Sequence, residues 1–161
     1  MEKDNIFRYD KVDLNNPQHM ECLGSVWHDE EAKRWVNQFH FNFVDYIQEL
    51  VKPFRTSNMR IITLNSIPIG KLCFVVDEST NTLYLELIVI LQEFRKKGLG
   101  KAVYIDFINS LNVDEVRIEI HLGNLPSETI AHSLGFEKYE EEDGMGYYRL
   151  DAFKTKQLGG K

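Results

Sequence analysis

Cysteine is scarce in this chain. Only Cys22 and Cys73 occur among 161 residues. Two thiols make no disulfide framework, and no cysteine–histidine spacing matches a zinc site, so no metal is expected. A reducing cytoplasm is the simplest setting for such a protein. Long apolar runs are also missing. A stretch such as Leu87–Leu91 is far too short to span a bilayer, so no membrane partner is expected. The charged start Met1-Glu2-Lys3-Asp4-Asn5 has no apolar segment behind it and does not read as a secretory signal. Internal repeats and low-complexity linkers are absent. A single domain over residues 1–153 is expected, with the polar residues 154–161 as a loose tail.

Net positive charge is lacking as well. The formal net charge is −6, which opposes binding to nucleic acid unless basic groups gather on one face. One gathering exists at Arg95, Lys96, Lys97 and Lys101, and the run Glu140-Glu141-Glu142-Asp143 has the opposite sign. A local basic spot in an acidic whole suits a compact anionic ligand better than a long polyanion, so no nucleic acid partner is expected.

Periodicity orders the chain. A strand is predicted over Ile6–Val12, and a helix over Pro17–Trp27 with proline in its first turn. A longer helix is predicted over Glu31–Val51, because Trp35, Phe39, Phe43, Ile47 and Leu50 recur every three or four residues, and Pro53 stops it. Strands follow over Met59–Leu64, Ile67–Val76 and Leu83–Leu91. The last is apolar almost throughout and reads as buried on both faces. A helix over Leu99–Leu111, a strand over Val116–Leu122, a helix over Pro126–Leu134 and a hairpin of Phe136–Glu140 with Tyr147–Leu150 complete the chain. Gly135 sits where a helix ends in a left-handed residue. The order is that of a mixed α/β fold with one parallel crossover near its centre.

The unit Leu83–Leu111 carries the most chemistry. A buried strand runs into Arg95-Lys96-Lys97-Gly98-Leu99-Gly100-Lys101 and then directly into a helix. A helix start leaves about four N–H groups unpaired and carries partial positive charge, which suits a phosphate. Gly98 and Gly100 lack a Cβ, so ligand oxygens can come close to the backbone. Two glycines alone would turn any strand into a helix; the basic cluster and the flanking elements favour the phosphate reading. Other phosphate loops fit poorly. Ala102 follows Lys101 where a P-loop needs Ser or Thr, and the dinucleotide pattern of three glycines is absent.

The stretch Leu87–Gly100 resembles the acetyl-CoA motif of the GNAT-type N-acetyltransferase superfamily: a strand, then Arg or Gln-x-x-Gly-x-Gly or Ala, then a helix. The segment Asn124-Leu125-Pro126-Ser127 through Leu134-Gly135-Phe136 is similar to the family's second cofactor segment. The resemblance covers about residues 6–150. It implies a splayed, mixed central sheet of about six to seven strands flanked by about four helices. Two parallel strands, here Leu83–Leu91 and Val116–Leu122, would part to admit the pantetheine arm. Backbone groups of Ile88, Val89 and Ile90 would pair with that arm, and the Ile90 N–H would polarise the thioester carbonyl. Asn124 and Ser127 would join the cofactor site. Acetyl-CoA is the implied cosubstrate, an amine the implied acceptor, and dimers are common in such proteins.

Direct transfer to an amine needs a group that takes the ammonium proton. Glu86 is the only charge in its strand, sharing a face with Tyr84, Ile88 and Ile90, where partial desolvation would favour a base. Glu119 resembles the catalytic glutamate of relatives that acetylate ribosomal protein N-termini, although plain alternation also places it, with His121, on a polar sheet face. Many relatives carry Tyr four residues before the glycine of Leu-Gly-Phe, as the acid for the leaving thiolate. Ala131 stands there and cannot donate a proton. Three functions therefore stay open: an acetyl-CoA-dependent N-acetyltransferase, a module that binds acyl-CoA without turnover, and a nucleotide-binding domain of another kind.

Overall fold

The computed structural model describes residues 4–35, 42–50 and 58–151, together with Thr155 and Leu158. Among these residues seven strands form one sheet in the order β1-β2-β3-β4-β5-β7-β6. They are β1 Phe7–Lys11, β2 Asn58–Leu64, β3 Ile67–Asp77, β4 Thr82–Ile90, β5 Glu115–His121, β6 Glu137–Glu142 and β7 Met145–Leu150. Among the described residues five α-helices accompany them: α1 Pro17–Trp27, α2 Glu30–Trp35, α3 Phe43–Leu50, α4 Leu99–Ser110 and α5 Leu125–Leu134. The fold is the mixed α/β sheet architecture that the sequence suggests. The single helix expected over Glu31–Val51 is described as two segments, α2 and α3. Phe39, Val51 and Pro53 lie outside the described residues.

Contacts divide the chain into two compact units, residues 1–73 with 87–97 and residues 74–86 with 98–161. In the first unit, α1 begins where the sequence predicts. The Asn16 side chain accepts from the N–H groups of Gln18 and His19 at 2.9 and 3.4 Å, and Pro17 takes the first helical position. Cys22, Leu23 and Val26 of α1 enter a core with Met59 and Ile61 of β2 and Cys73 of β3. Asn65 and Ser66 both have positive φ (49° and 71°), the backbone of a two-residue hairpin turn between β2 and β3.

In the second unit, the parallel ladder of β4 and β5 holds from Thr82↔Glu115 to Leu85↔Ile118. β5 pairs antiparallel with β7 from Val116 to His121. β7 and β6 close through Asp143-Gly144, again with positive φ at both positions. Val103, Phe107 and Ile108 of α4 are buried, and Phe107 meets Phe74 edge to face at 5.0 Å. All six residues of β6 are exposed, and its Glu and Lys side chains suit a sheet edge. Within the segment expected as a loose tail, Thr155 and Leu158 are buried, and the Thr155 hydroxyl donates to the Leu150 carbonyl.

Candidate functional site

The end of β4 is fixed by two devices. The first is Gly70 in β3. A Cβ built there would lie 2.0 Å from the Val89 carbonyl oxygen and 3.1 Å from the Ile90 Cα. Only glycine lets the two main chains come this close, and the Leu91 N–H donates to the Ile69 carbonyl at 2.7 Å beside it. The second is Arg95. Its Nε donates to the Ile90 carbonyl at 2.8 Å. Its terminal nitrogens reach both oxygens of Asp29, at 2.5 and 3.3 Å, and Glu31 at 3.2 Å. Arg95 thus ties β4 to the start of α2, where Asp29 also accepts from the N–H groups of Glu31 and Ala32. Burial pushes the Asp29 carboxyl up. The Arg95 guanidinium and the two backbone donors outweigh that and hold it below the usual carboxylate range.

The Arg95 guanidinium is therefore already neutralised by carboxylates. The lysines are not. Lys96 and Lys97 are exposed and carry no ion pair among the described residues; Lys97 rests over the Phe94 ring at 5.9 Å. Lys96 takes positive φ (61°), which turns the chain out of the 3-10 turn Gln92–Phe94.

In the second unit, Gly98 caps α4 in the left-handed region (φ 74°), and no side chain caps this helix. A Cβ at Gly98 would meet nothing within 4 Å, so its face is open. A Cβ at Gly100 would touch only the Ile130 side chain, at 3.4 Å. The N–H groups of the first turn of α4, Leu99 to Lys101, precede the first helical bond from Ala102 to Gly98, so they are the orphan donors of a helix start. Lys101 is exposed beside them.

Asn124 and Ser127 come together at the start of α5. The Asn124 side chain accepts from the Ser127 N–H at 3.5 Å, and Glu128 accepts from the Gly123 N–H at 3.1 Å. Asn124 is thus a helix cap in this structure. Ala131 is buried, and its carbonyl accepts from the Phe136 N–H at 3.0 Å in the turn around Gly135 (φ 92°). Tyr148 is fully buried and meets His132 edge-on, so it is a packing residue.

Glu86 and Glu119 line one shallow groove of about 60 Å³ with Tyr84, Arg117, Tyr139 and Tyr147; Leu85 and Ile118 form its floor. Strand parity places Tyr84 and Glu86 on one face, as expected. That face is not buried, however. Tyr84 is 37% exposed and Glu86 is exposed, while Leu83 and Leu85 on the other face are buried. The expected burial of β4 on both faces is corrected here, because this part of the strand borders the open groove. Glu119 is also exposed and stands opposite Tyr147. Partial burial, then the charges of Glu119, Glu142, Glu140 and Asp143, push the Tyr147 phenol above its ordinary value. Residue patterns alone did not single out Gly70, Asp29, Glu31, Arg117 or Arg149. A glycine inside a strand signals a close backbone approach and could have marked Gly70.

A family model described as the acetyltransferase (GNAT) family matches residues 17–136. Comparison with curated protein sequences finds no match. Solved structures share the fold. An aminoglycoside N(6')acetyltransferase from Legionella pneumophila is 19% identical with a TM-score of 0.77, covering 96% of this chain and 97% of its own. An acetyltransferase from Thermus thermophilus is 18% identical with a TM-score of 0.70, covering 90% and 96%. The Campylobacter jejuni N-acetyltransferase PseH, solved with acetyl coenzyme A, is 15% identical with a TM-score of 0.66, covering 91% and 99%.

Proposed function

The chain belongs to the acetyltransferase (GNAT) family, and from that premise we propose that it transfers an acetyl group from acetyl-CoA directly to a primary amine of a small molecule or protein. The observation that carries this is the start of α4. Uncapped N–H groups follow a left-handed Gly98 with open space before it, and exposed Lys96, Lys97 and Lys101 carry no ion pair among the described residues. That donor set fits a pyrophosphate.

When bound, acetyl-CoA supplies an activated thioester. The protein's part is to hold it and to move protons. The N–H groups from Gly98 to Lys101 donate to phosphate oxygens, and the lysines add attraction. Arg95 acts by fixing the loop and the Ile90 carbonyl, since its guanidinium is committed to Asp29 and Glu31. The main chain of Ile88, Val89 and Ile90 aligns the pantetheine arm, with the Ile90 N–H directed at the thioester carbonyl. Asn124 and Ser127 shape the second cofactor segment through the α5 cap. Glu86 or Glu119 takes the proton from the incoming ammonium, directly or through water. With Ala131 buried in the position of the usual tyrosine, the thiolate leaves unassisted or takes its proton from water.

Ala131 also supports a second reading, in which the domain binds acyl-CoA without turnover. A melting screen with CoA, acetyl-CoA, ATP and NAD tests the ligand. Stabilisation by CoA compounds alone is expected; stabilisation by ATP or NAD but not CoA would overturn both readings. Free-thiol release with a panel of amines tests turnover. Release that falls in Glu86→Gln or Glu119→Gln supports the transferase. Tight CoA binding with no release for any amine class supports the silent module.

A further inference from the structure

Ala131 cannot protonate a departing thiolate, so a donor is sought beside the candidate bases. Three tyrosines line the groove with Glu86 and Glu119: Tyr84, Tyr139 and Tyr147. Register separates them. Tyr147 of β7 is the Cα partner of Glu119 in β5. The two side chains therefore rise from one face of the sheet, with Cβ atoms about 5 Å apart. Tyr84 pairs with Arg117 instead. The Tyr139 ring is flanked by the guanidinium groups of Arg117 and Arg149, at 5.5 and 5.9 Å. Of the three phenols, Tyr147 is the one set directly across a strand pair from a candidate base.

Tyr147 is half-buried, and its ring leans on that of Tyr139 with centroids 6.4 Å apart. Its hydroxyl makes no hydrogen bond among the described residues. The O–H thus anchors nothing and opens on the groove. Carboxylates stand around it: Glu119 from β5, Glu140 and Glu142 from β6, and Asp143 from the turn. Partial burial comes first and then these charges, Glu119 foremost among them, in holding the phenol above its ordinary value. The phenol therefore keeps its proton until something takes it. Glu86 and Arg117 line the same groove, and Arg117 is paired with Glu115 at 2.9 Å.

We propose that Tyr147 protonates the departing CoA thiolate, and that Glu119 across from it is the base that takes the ammonium proton. The inference rests on the transferase reading and supplies the donor that Ala131 cannot be. A nitrogen in hydrogen-bond contact with Glu119 lies in the groove. The carbon it attacks is then about 3–3.5 Å away, and the sulfur is one bond further. In a groove of about 60 Å³ that sulfur comes within reach of the Tyr147 hydroxyl. Bonds and protons balance. Glu119 takes one proton from the ammonium, the C–N bond forms, and the C–S bond breaks with its electron pair on sulfur. Tyr147 gives its proton to that sulfur, and Glu119 returns the ammonium proton to the phenolate. The nitrogen loses its second proton to the freed Glu119 and then to water, so one proton is released overall. The register also couples the two transfers. Once Glu119 holds the ammonium proton it is neutral, and the foremost charge opposing a phenolate is gone.

The test is the kinetics of wild type, Tyr147→Phe, Glu119→Gln and the double variant, with acetyl-CoA and the amine that gives the fastest thiol release. Phenylalanine keeps the ring and loses only an unbonded O–H, so Tm and stabilisation by CoA should match the wild type. In Tyr147→Phe, kcat should fall about a hundredfold while KM for each substrate moves less than about twofold. The double variant should be no more than about twofold slower than the slower single one, because residues acting as a unit are not additive. With 4-nitrophenyl acetate, whose leaving group departs without a proton, the Tyr147→Phe deficit should shrink to about twofold. An unchanged kcat, a change confined to the KM of the amine, a lowered Tm, multiplying deficits in the double variant, or equal deficits with both donors overturns the assignment. A wild type that releases no thiol with any amine removes the transferase reading and this assignment together. An active wild type with an unaffected Tyr147→Phe removes the assignment alone.

Discussion

Gly70→Ala places one methyl group where the structure has no room. Its Cβ would lie 2.0 Å from the Val89 carbonyl oxygen, a main-chain atom. Ordinary carbon–oxygen contacts begin at about 3.3 Å, so the strands must part by about 1.3 Å. A rotamer change cannot provide this, because the obstacle is backbone. Overpacking of this kind costs about 1–3 kcal/mol. Separation also stretches the Leu91-to-Ile69 bond of 2.7 Å, which is worth about 1 kcal/mol net. A total of about 3 kcal/mol is expected, against a typical stability of about 5–15 kcal/mol. For a chain of this length that corresponds to roughly 6–12 °C in Tm. Urea and thermal unfolding of the variant measure it directly. The same experiment should show weaker stabilisation by CoA, since the displaced segment contains Val89 and Ile90. Gly100→Ala is the matched control: its Cβ meets only a flexible Ile130 side chain at 3.4 Å, and alanine favours a helix by up to about 1 kcal/mol. If Gly70→Ala unfolds at the wild-type midpoint, the close approach of β3 and β4 is wrong. If Gly100→Ala is the more damaging of the two, the steric reasoning fails as a whole.

Gly98→Ala forces a side chain into the left-handed region at φ 74°; a loss of about 1 kcal/mol in stability should accompany a CoA affinity about tenfold weaker by calorimetry, and unchanged affinity would refute phosphate binding at this turn. Asp29 has a depressed folded-state pKa, so its stabilisation is complete above the unfolded value of 3.8 and is lost as pH falls through the folded value. Denaturation midpoints across that acid range should fall in the wild type by more than in Asp29→Asn; parallel curves would show that the Arg95 pair contributes nothing. Burial raises the Cys22 thiol to about 11, and Cys73 is also buried. At pH 8 both thiols should react with a disulfide reagent no faster than the protein unfolds, whereas rapid labelling of either in the native state would contradict the core of the first unit.

Much of the fold was legible because its signals are local. Asn16 and Pro17 start α1, the alternation Leu83–Leu85 against Tyr84–Glu86 sets the faces of β4, and Gly135 ends α5. The glycine loop was legible for the same reason, since Gly98 supplies the left-handed residue that begins α4. What periodicity missed depends on distant partners. The apolar composition of β4 suggested burial on both faces, but burial at Glu86 is decided by what lies across β5 and β7, and there the groove is open. The separate start of α3, where the Asn42 side chain accepts from the Asp45 N–H at 2.9 Å, was likewise hidden by an apolar pattern that runs through both α2 and α3.

Arg95 shows how a motif residue can change its work without changing its letter. A basic residue before Gly-x-Gly invites the reading that its charge meets the phosphate. Asp29 lies 66 residues away in sequence, and no local pattern announces that it takes this guanidinium. The Asp29 side chain is only 7% exposed and that of Arg95 is 21% exposed, so separating them would leave a buried carboxylate unpaired. Removing one partner of such a pair costs more than the pair contributes. A phosphate drawing Arg95 outward would have to offset that loss, while Lys96, Lys97 and Lys101 offer the same charge from solvent at no such cost. On the proposed reading, the phosphate contacts would fall to the lysines and the start of α4, while Arg95 holds the Ile90 carbonyl and the loop in place.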